Sequence, residues 1–444
     1  MISAIKRTFK GGIHPPYHKS FTSSKSIEVM PLPSRVVIPL QQHIGRISES
    51  IVQVGDNVLR GQPISKAAGP VSSPAHASIS GTVTTIESFP HPLGQAVPSV
   101  VIESDGQDEG YQTYNYDDKY FDLSPEEMKA RITDAGITGM GGATFPTHVK
   151  LMPPAENPID TVILNGAECE PYLTSDHRLM LEKAEDIIKG LRIIMKILGV
   201  KKGFVAIETN KPDAIAKFSD ILKDDPDITV FSLEVKYPQG AEKQLIYAAT
   251  RRRVPAGKLP MAVGCVVQNV GTAKAVYDAV AAQKPLIERV VTVTGAVKNP
   301  KNLLVRIGTA FKEVIDYCGG FSEEPGKVIM GGPMMGIAQF TLDVPVVKGS
   351  SGIVVLGRKE VVEIKPQECI SCARCVDVCP MNLMPVLLVR YIGNCRWDLA
   401  KEAGIMNCME CGSCAFVCAA DQNRMHSMRY GKFMIQELEK AEKK

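Results

Sequence analysis

The chain has no run of about 18 consecutive apolar residues, the length that a bilayer-spanning helix requires. Its long uncharged stretches, such as 328–342, are interrupted by glycine and proline. It also lacks an excess of charge of one sign. The 51 Lys and Arg residues against 48 Asp and Glu leave a formal charge of +3, which carries no signature of nucleic-acid binding. The opening MISAIKRTFKGGIHPP has no apolar h-region, so no secretory leader is expected, and without one a disulfide framework is not expected either. What remains, 44% hydrophobic and 22% charged over 444 residues, is the composition of a globular protein with ample core. That length predicts roughly two to four domains.

Cysteine is what the chain has in quantity. Eight of its 12 cysteines fall into two runs, Cys369-x2-Cys372-x2-Cys375-x3-Cys379-Pro380 and Cys408-x2-Cys411-x2-Cys414-x3-Cys418, at a constant offset of 39 residues. Thiolates at i, i+3 and i+6 can wrap one face of an iron–sulfur cubane, whose remaining iron takes a ligand from elsewhere. Structural zinc prefers two Cys pairs separated by a loop, a different pattern from four sulfurs in so short a run. The runs resemble those of two-cluster ferredoxins, in which the fourth cysteine of each run ligates the other cluster. By that resemblance one [4Fe–4S] cluster is expected on Cys369, Cys372, Cys375 and Cys418, and the second on Cys408, Cys411, Cys414 and Cys379. Cys169, Cys265, Cys318 and Cys395 lie outside the runs and are expected as small buried apolar residues.

Before the cysteine runs the patterns change several times. Residues 1–33 are polar and irregular, and the prolines after His14 favour an extended arm that packs on the rest. Residues 34–105 show short β runs, and VGDNVLRGQPI with SPAHASISGTV resembles the barrel-sandwich of lipoyl and biotinyl carrier domains. The expected hairpin tip, Pro74 to Ser78, holds no lysine for a carried group, so a docking role is expected, with His76 as a turn residue. A Tyr-rich linker spans 106–123. Ser124-Pro125-Glu126-Glu127 then reads as a helix start, with a serine N-cap, proline at N1 and glutamate at N3. From 124 to 285 helix and strand patterns alternate, predicting an α/β layer with a largely parallel sheet.

Within that layer, Gly139-Met140-Gly141-Gly142-Ala143-Thr144-Phe145-Pro146 precedes Lys150. Glycines let backbone approach a phosphate or a flavin edge, and the lysine offers a point charge. It is not a dinucleotide fingerprint, because the third glycine is missing and no strand leads directly into it.

GMGGATFPTHVK resembles the FMN-binding loop of the NADH-binding flavoprotein subunit of respiratory complex I. NGAECEP at 165–171, YPQGAE at 237–242 and QNVGT at 268–272 resemble further motifs of that family in the same order. The resemblance implies FMN contacts from Gly139, Gly141, Gly142, Lys150, Asn165, Glu168, Gly240 and Asn269. It also implies that Phe145, Glu170 and Glu242 face NAD(H), with the two glutamates as catalytic candidates. Thr144, Ala167, Ala241 and Gln268 depart from that family's pattern.

Residues 286–345 resemble the soluble-ligand-binding (SLBB) β-grasp module. Residues 346–444 form the expected helical, ferredoxin-like two-[4Fe–4S] domain, with Met425, Met428 and Phe433 expected in its core. The expected fold is therefore multidomain α/β. It comprises an arm, a lysine-free barrel-sandwich β domain, a complex-I-type flavin domain, a β-grasp segment and a cluster domain. That order, with GGIHPP, CEPYLTSDHRLM and CPMNLMP, resembles the C subunit of Rnf (Rsx) electron-transport complexes. The resemblance implies a peripheral subunit on the cytoplasmic face of the cell membrane, part of an ion-translocating ferredoxin:NAD+ oxidoreductase. Its implied partners are the other membrane and peripheral Rnf subunits, NAD(H) and, indirectly, ferredoxin. The alternatives are a soluble flavin and iron–sulfur reductase, such as a cobalamin reductase, which lacks the arm and leading barrel, and a non-catalytic scaffold.

Overall fold

The N-terminal arm threads through three other parts of the molecule. The structure, a computed structural model, describes residues 7–361 and 365–442. Arg7 N donates to Ser232 O, and Ile13 exchanges backbone hydrogen bonds with Tyr237 at 2.8 and 2.9 Å. Beyond the expected extended segment the arm ends in a strand, β1 (Ile27–Val29).

The barrel-sandwich comprises β2 (Arg35–Pro39), β3 (Glu49–Ser50), β4 (Asn57–Val58), β5 (Ser65–Lys66), β6 (Gly81–Pro90) and β7 (Ala96–Ser104). The strands form a β2-β7-β6-β4 sheet and a β3-β5 pair around Val36, Ile38, Ile64, Ile79, Val83 and Ile102. The segment from Pro74 to Ser78 is not an exposed tip. Ala75, His76, Ala77 and Ser78 are buried, Lys348 Nζ donates to Pro74 O at 2.8 Å and Gly136 O at 2.7 Å, and Ser78 Oγ donates to Ile307 O. Having small side chains and no charge to solvate, the segment forms the joint on which the barrel seats.

The α/β domain contains α1 (Pro125–Asp134), α2 (Thr147–Lys150), β8 (Thr161–Gly166), α3 (Ser175–Glu182), α4 (Ala184–Leu198), β9 (Gly203–Glu208), α5 (Pro212–Ile221), β10 (Ile228–Leu233), α6 (Glu242–Thr250), β11 (Cys265–Asn269) and α7 (Val270–Ala282). The predicted capping box is present: Ser124 Oγ accepts from Glu127 N and the Glu127 carboxylate from Ser124 N. The four strands are all parallel, in the order β10-β9-β8-β11. Strand order reverses at β8, so the crevice outside the carboxyl ends of β8 and β11 is a topological switch point, where open α/β sheets bind ligands. On one face α4 packs against α7 so closely that a Cβ on Gly190 would lie 1.8 Å from Ala273 O.

The β-grasp sheet has the order β1-β13-β12-β16-β14-β15. It comprises β12 (Glu288–Gly295), β13 (Lys301–Arg306), β14 (Pro325–Met330), β15 (Ile337–Ala338) and β16 (Gly352–Gly357), with α8 (Phe311–Tyr317) packed on it. It therefore draws one strand from the arm and one from beyond residue 345. The remaining helices are α9 (Arg374–Asp377), α10 (Pro385–Gly393), α11 (Trp397–Glu402), α12 (Ser413–Phe416) and α13 (Arg424–Glu442). Leu388, Ile392, Ile405, Met428 and Ile435 form their core. Cys265 and Cys318 are buried as expected, and Cys169 is partly buried, but Cys395 is exposed and takes a left-handed φ of 54°.

Candidate functional site

Asn165 and Asn269 are register partners at the ends of β8 and β11. Asn165 Nδ2 donates to Gly240 O at 2.8 Å, which ties the strand to the 237–242 turn. Asn269 caps α7, its Oδ1 accepting from Gly271 N, while its Nδ2 donates to Asp176 Oδ2 at 2.6 Å. The glycine loop closes over this end of the sheet. Gly139 N donates to Phe145 O, Met140 N donates to Thr272 Oγ1, and Met140 O accepts from Arg289 Nη2. At Gly142 (φ 104°) nothing lies within 4 Å of a Cβ position, so the loop is open on that side. Lys150 Nζ reaches the same place, donating to Glu242 Oε1 and to Val267 O, both at 2.7 Å. Gly139, Gly141, Gly142, Phe145, Lys150, Asn165, Gly240, Glu242 and Asn269 are thus gathered around one crevice.

Glu168 and Glu170 are directed elsewhere. The Glu168 carboxylate accepts from Asp176 N at 2.7 Å and His177 N at 3.3 Å, satisfying the free amides at the start of α3. Glu170 accepts from Met334 N and Met335 N, beneath the connector that follows β14. Burial pushes Glu170 up to about 7 against those two donors. Burial, with the neighbouring Glu168 carboxylate, pushes Asp176 up to about 6.

Two buried cations and a partly buried one in this region had no signal in the sequence. Lys19, from the arm, donates to the carbonyls of Glu168, Glu170 and Leu173. Lys211 donates to Ala167 O and pairs with Glu208 at 3.3 Å, both side chains 1% exposed. Arg289, from β12, links Met140 O to Ser350 O. Each is held by carbonyls distant in sequence, which no local pattern announces.

Cysteines from both runs come together at one place. One cavity is lined by Cys379, Cys408, Cys411 and Cys414, together with Met381, Met409, Met425 and Met428. Elsewhere Arg424 Nη2 donates to Cys369 Sγ at 3.6 Å. Burial pushes the Cys418 thiol up, but the Gln422 backbone and the Arg424 guanidinium outweigh it and hold the thiol below its usual range. Cys372, of the same run as Cys369, is exposed. Among the described residues, no three or more His, Cys, Asp or Glu side chains converge on a single-ion site. Met425 and Met428 serve both the helical core and the first cavity, whereas Phe433, expected in the core, is 55% exposed.

That cavity abuts the α/β domain. Tyr237 Oη donates to Cys411 O at 2.8 Å, and Gln244 Nε2 donates to Pro380 O at 3.0 Å. Ile13, Tyr237 and Cys411 pack as one buried cluster, with Cys169 against it.

Three family descriptions match in the order of the folded parts. They are an RnfC barrel sandwich hybrid domain over residues 7–107, a Nuo51 FMN-binding domain over 132–278 and an SLBB domain over 290–338. Among curated relatives, the C subunit of the proton-translocating ferredoxin:NAD(+) oxidoreductase complex of Clostridium ljungdahlii is 51% identical over 89% of this chain and 86% of its own length. The chain belongs to this C-subunit family. Its counterpart in the Na(+)-translocating complex of Acetobacterium woodii is 48% identical over 90% of each chain. The C subunit of an ion-translocating oxidoreductase complex from Rhodobacter capsulatus is 46% identical over 90% of this chain and 78% of its own length. The barrel-sandwich match over residues 7–107 takes in arm and barrel, the parts that a cobalamin-reductase reading leaves out. No helix among the described residues is long and apolar enough to cross a membrane.

Proposed function

We propose that this chain is the NAD(H)- and FMN-binding C subunit of an ion-translocating ferredoxin:NAD+ oxidoreductase, passing electrons between NAD(H), FMN and two [4Fe–4S] clusters. One observation carries the reading. The glycine-loop crevice and the cavity of Cys379, Cys408, Cys411 and Cys414 lie on two sides of a single turn, joined by Tyr237 and Gln244.

The donors present fit the cofactors. The open side of the glycine loop leaves room for a flavin, with the capped start of α7 and Lys150 available to a phosphate. Bound there, FMN supplies the conversion between a hydride and two single electrons. Asn165 and Asn269 hold the crevice floor, the glycines would admit a ring without a Cβ in the way, and Lys150, paired with Glu242, would hold the phosphate. Phe145 and Glu242 are the proposed nicotinamide-side residues, whereas the backbone amides that hold Glu170 take it out of that role.

Four thiols around one cavity fit a cubane, three from the second run and Cys379 from the first. Cys369, Cys372, Cys375 and Cys418 are the proposed ligands of the other, with Arg424 offsetting its charge. The first group adjoins the flavin crevice and the second includes the exposed Cys372. The Cys411 group would hold the cluster nearer the crevice and the Cys369 group the one nearer the surface, the order that a one-electron relay between crevice and surface would use. The proposed partners are the membrane and peripheral subunits of such a complex, with ferredoxin reached through them, at the cytoplasmic face of the cell membrane.

Anaerobic purification with flavin, iron and sulfide analysis tests the reading, together with a spectrum after NADH addition. Bleaching of both flavin and cluster absorbance is expected. Zinc in place of iron and sulfide would refute it.

A further inference from the structure

We propose that Gly11 and Gly12 set the contact across which electrons pass from the flavin crevice to the Cys411 group, an inference that rests on the relay just described. The two residues lie between the two sides of that contact. Gly12 N donates to Val378 O at 2.8 Å, on the backbone that leads into Cys379. The next residue, Ile13, is bonded in both directions to Tyr237. The arm backbone is thus a wedge with the cysteine corner on one face and the Tyr237 turn on the other.

Neither face has room for a side chain. A Cβ on Gly11 would lie 2.9 Å from Cys379 O and 3.0 Å from Val378 O. A Cβ on Gly12 would lie 2.7 Å from Tyr237 O and 2.9 Å from both Lys236 Cε and Phe9 Cζ. Both glycines take left-handed φ, 84° and 82°, which side-chain-bearing residues rarely adopt. The arm is pinned on either side of the wedge, by Arg7 donating to Ala249 O and by Lys19 donating to Glu168 O and Glu170 O. A methyl group here therefore has to be accommodated by moving the Cys379 corner away from the Tyr237 turn. Oxidising one NADH to NAD+ and a proton yields two electrons, one for each cluster, and both cross this contact. Electron transfer weakens steeply as such a gap widens, whereas hydride transfer at the crevice does not cross it.

The test uses the full chain, anaerobically purified with flavin and iron measured for every variant. Gly11→Ala and Gly12→Ala should slow cluster reduction by NADH severalfold in stopped flow. Cofactor content and NADH:ferricyanide activity should remain at the wild-type level. Gly199→Ala is the control, because that glycine is also left-handed (φ 64°) but has nothing within 4 Å of its Cβ position. If neither wedge variant folds with full cofactors, Gln244→Leu loosens the same contact from the opposite side without steric conflict at the arm, and the same split is expected. Wild-type cluster reduction in fully loaded variants would overturn the proposal, as would a parallel loss of ferricyanide activity. A wild-type chain that binds no flavin would instead overturn the relay on which it rests.

Discussion

Lys150 Nζ lies 2.7 Å from Glu242 Oε1 and donates equally closely to Val267 O. The lysine charge proposed for a flavin phosphate is thus paired with a carboxylate on α6. The pair is half-open to solvent, with side chains 27% and 36% exposed, so an arriving dianion can displace the carboxylate.

Lys150→Ala removes that charge. A charge-assisted hydrogen bond of about 1.5 kcal/mol corresponds to an affinity loss of about tenfold. Fluorescence titration of deflavinated protein should report this loss with iron content unchanged. Undiminished flavin occupancy would count against a phosphate role.

Glu242→Gln separates two roles. Without the competing negative charge, flavin affinity should rise severalfold, because a carboxylate beside a phosphate is unfavourable. NADH:ferricyanide turnover should fall if the carboxylate also serves the nicotinamide. A rise in both would remove Glu242 from the catalytic set.

Cys379→Ser tests the crossed grouping. The serine falls in the cavity of Cys408, Cys411 and Cys414, so the cluster built mainly on the second run should be the one perturbed. Electron paramagnetic resonance of the reduced protein should lose that signal and keep the one sensitive to Cys372→Ser. Loss confined to the Cys372-sensitive signal would contradict the pairing.

Lys348, 1% exposed at the barrel joint, makes stability depend on pH. Burial lowers its ammonium pKa from 10.5 to about 7. Between those values the unfolded chain holds a proton that the folded chain does not, so stability rises with pH across the window and is lost as pH falls through the lower value. The melting temperature of the wild-type chain should rise relative to that of Lys348→Met between about pH 7 and pH 10. Nearby His76 acts in a separate window, since burial, with some help from Lys348, holds it down to about 3. Parallel melting profiles would show that the buried ammonium does not titrate there.

Much of this was legible in the sequence because the signals are local. The Ser124 capping box, the apolar spacing of α4 and the first three cysteines of the second run each depend on residues within a few positions of one another, and each has a direct counterpart in the structure. Other features were not legible. Strand β1 is three residues long in a polar stretch, too short for alternation to show, and β16 is an apolar run that joins its sheet from beyond the expected boundary at residue 345. Cys395 has a cysteine's usual preference for burial, but it lies exposed just past the end of α10.

By itself the amino-acid sequence determined which residues carry the chemistry: two sets of thiolates at fixed spacing, a glycine loop followed by a lysine, and the asparagines that end two strands. Spacing along the chain is covalent and survives any arrangement of the domains. Only the tertiary structure decided that Glu168 and Glu170 turn to backbone amides, that Lys211 and Arg289 are buried, and that Lys19 is drawn in against three carbonyls. Those outcomes depend on donors and carbonyls brought from distant segments. A charge withdrawn from water is tolerated only where the fold supplies partners.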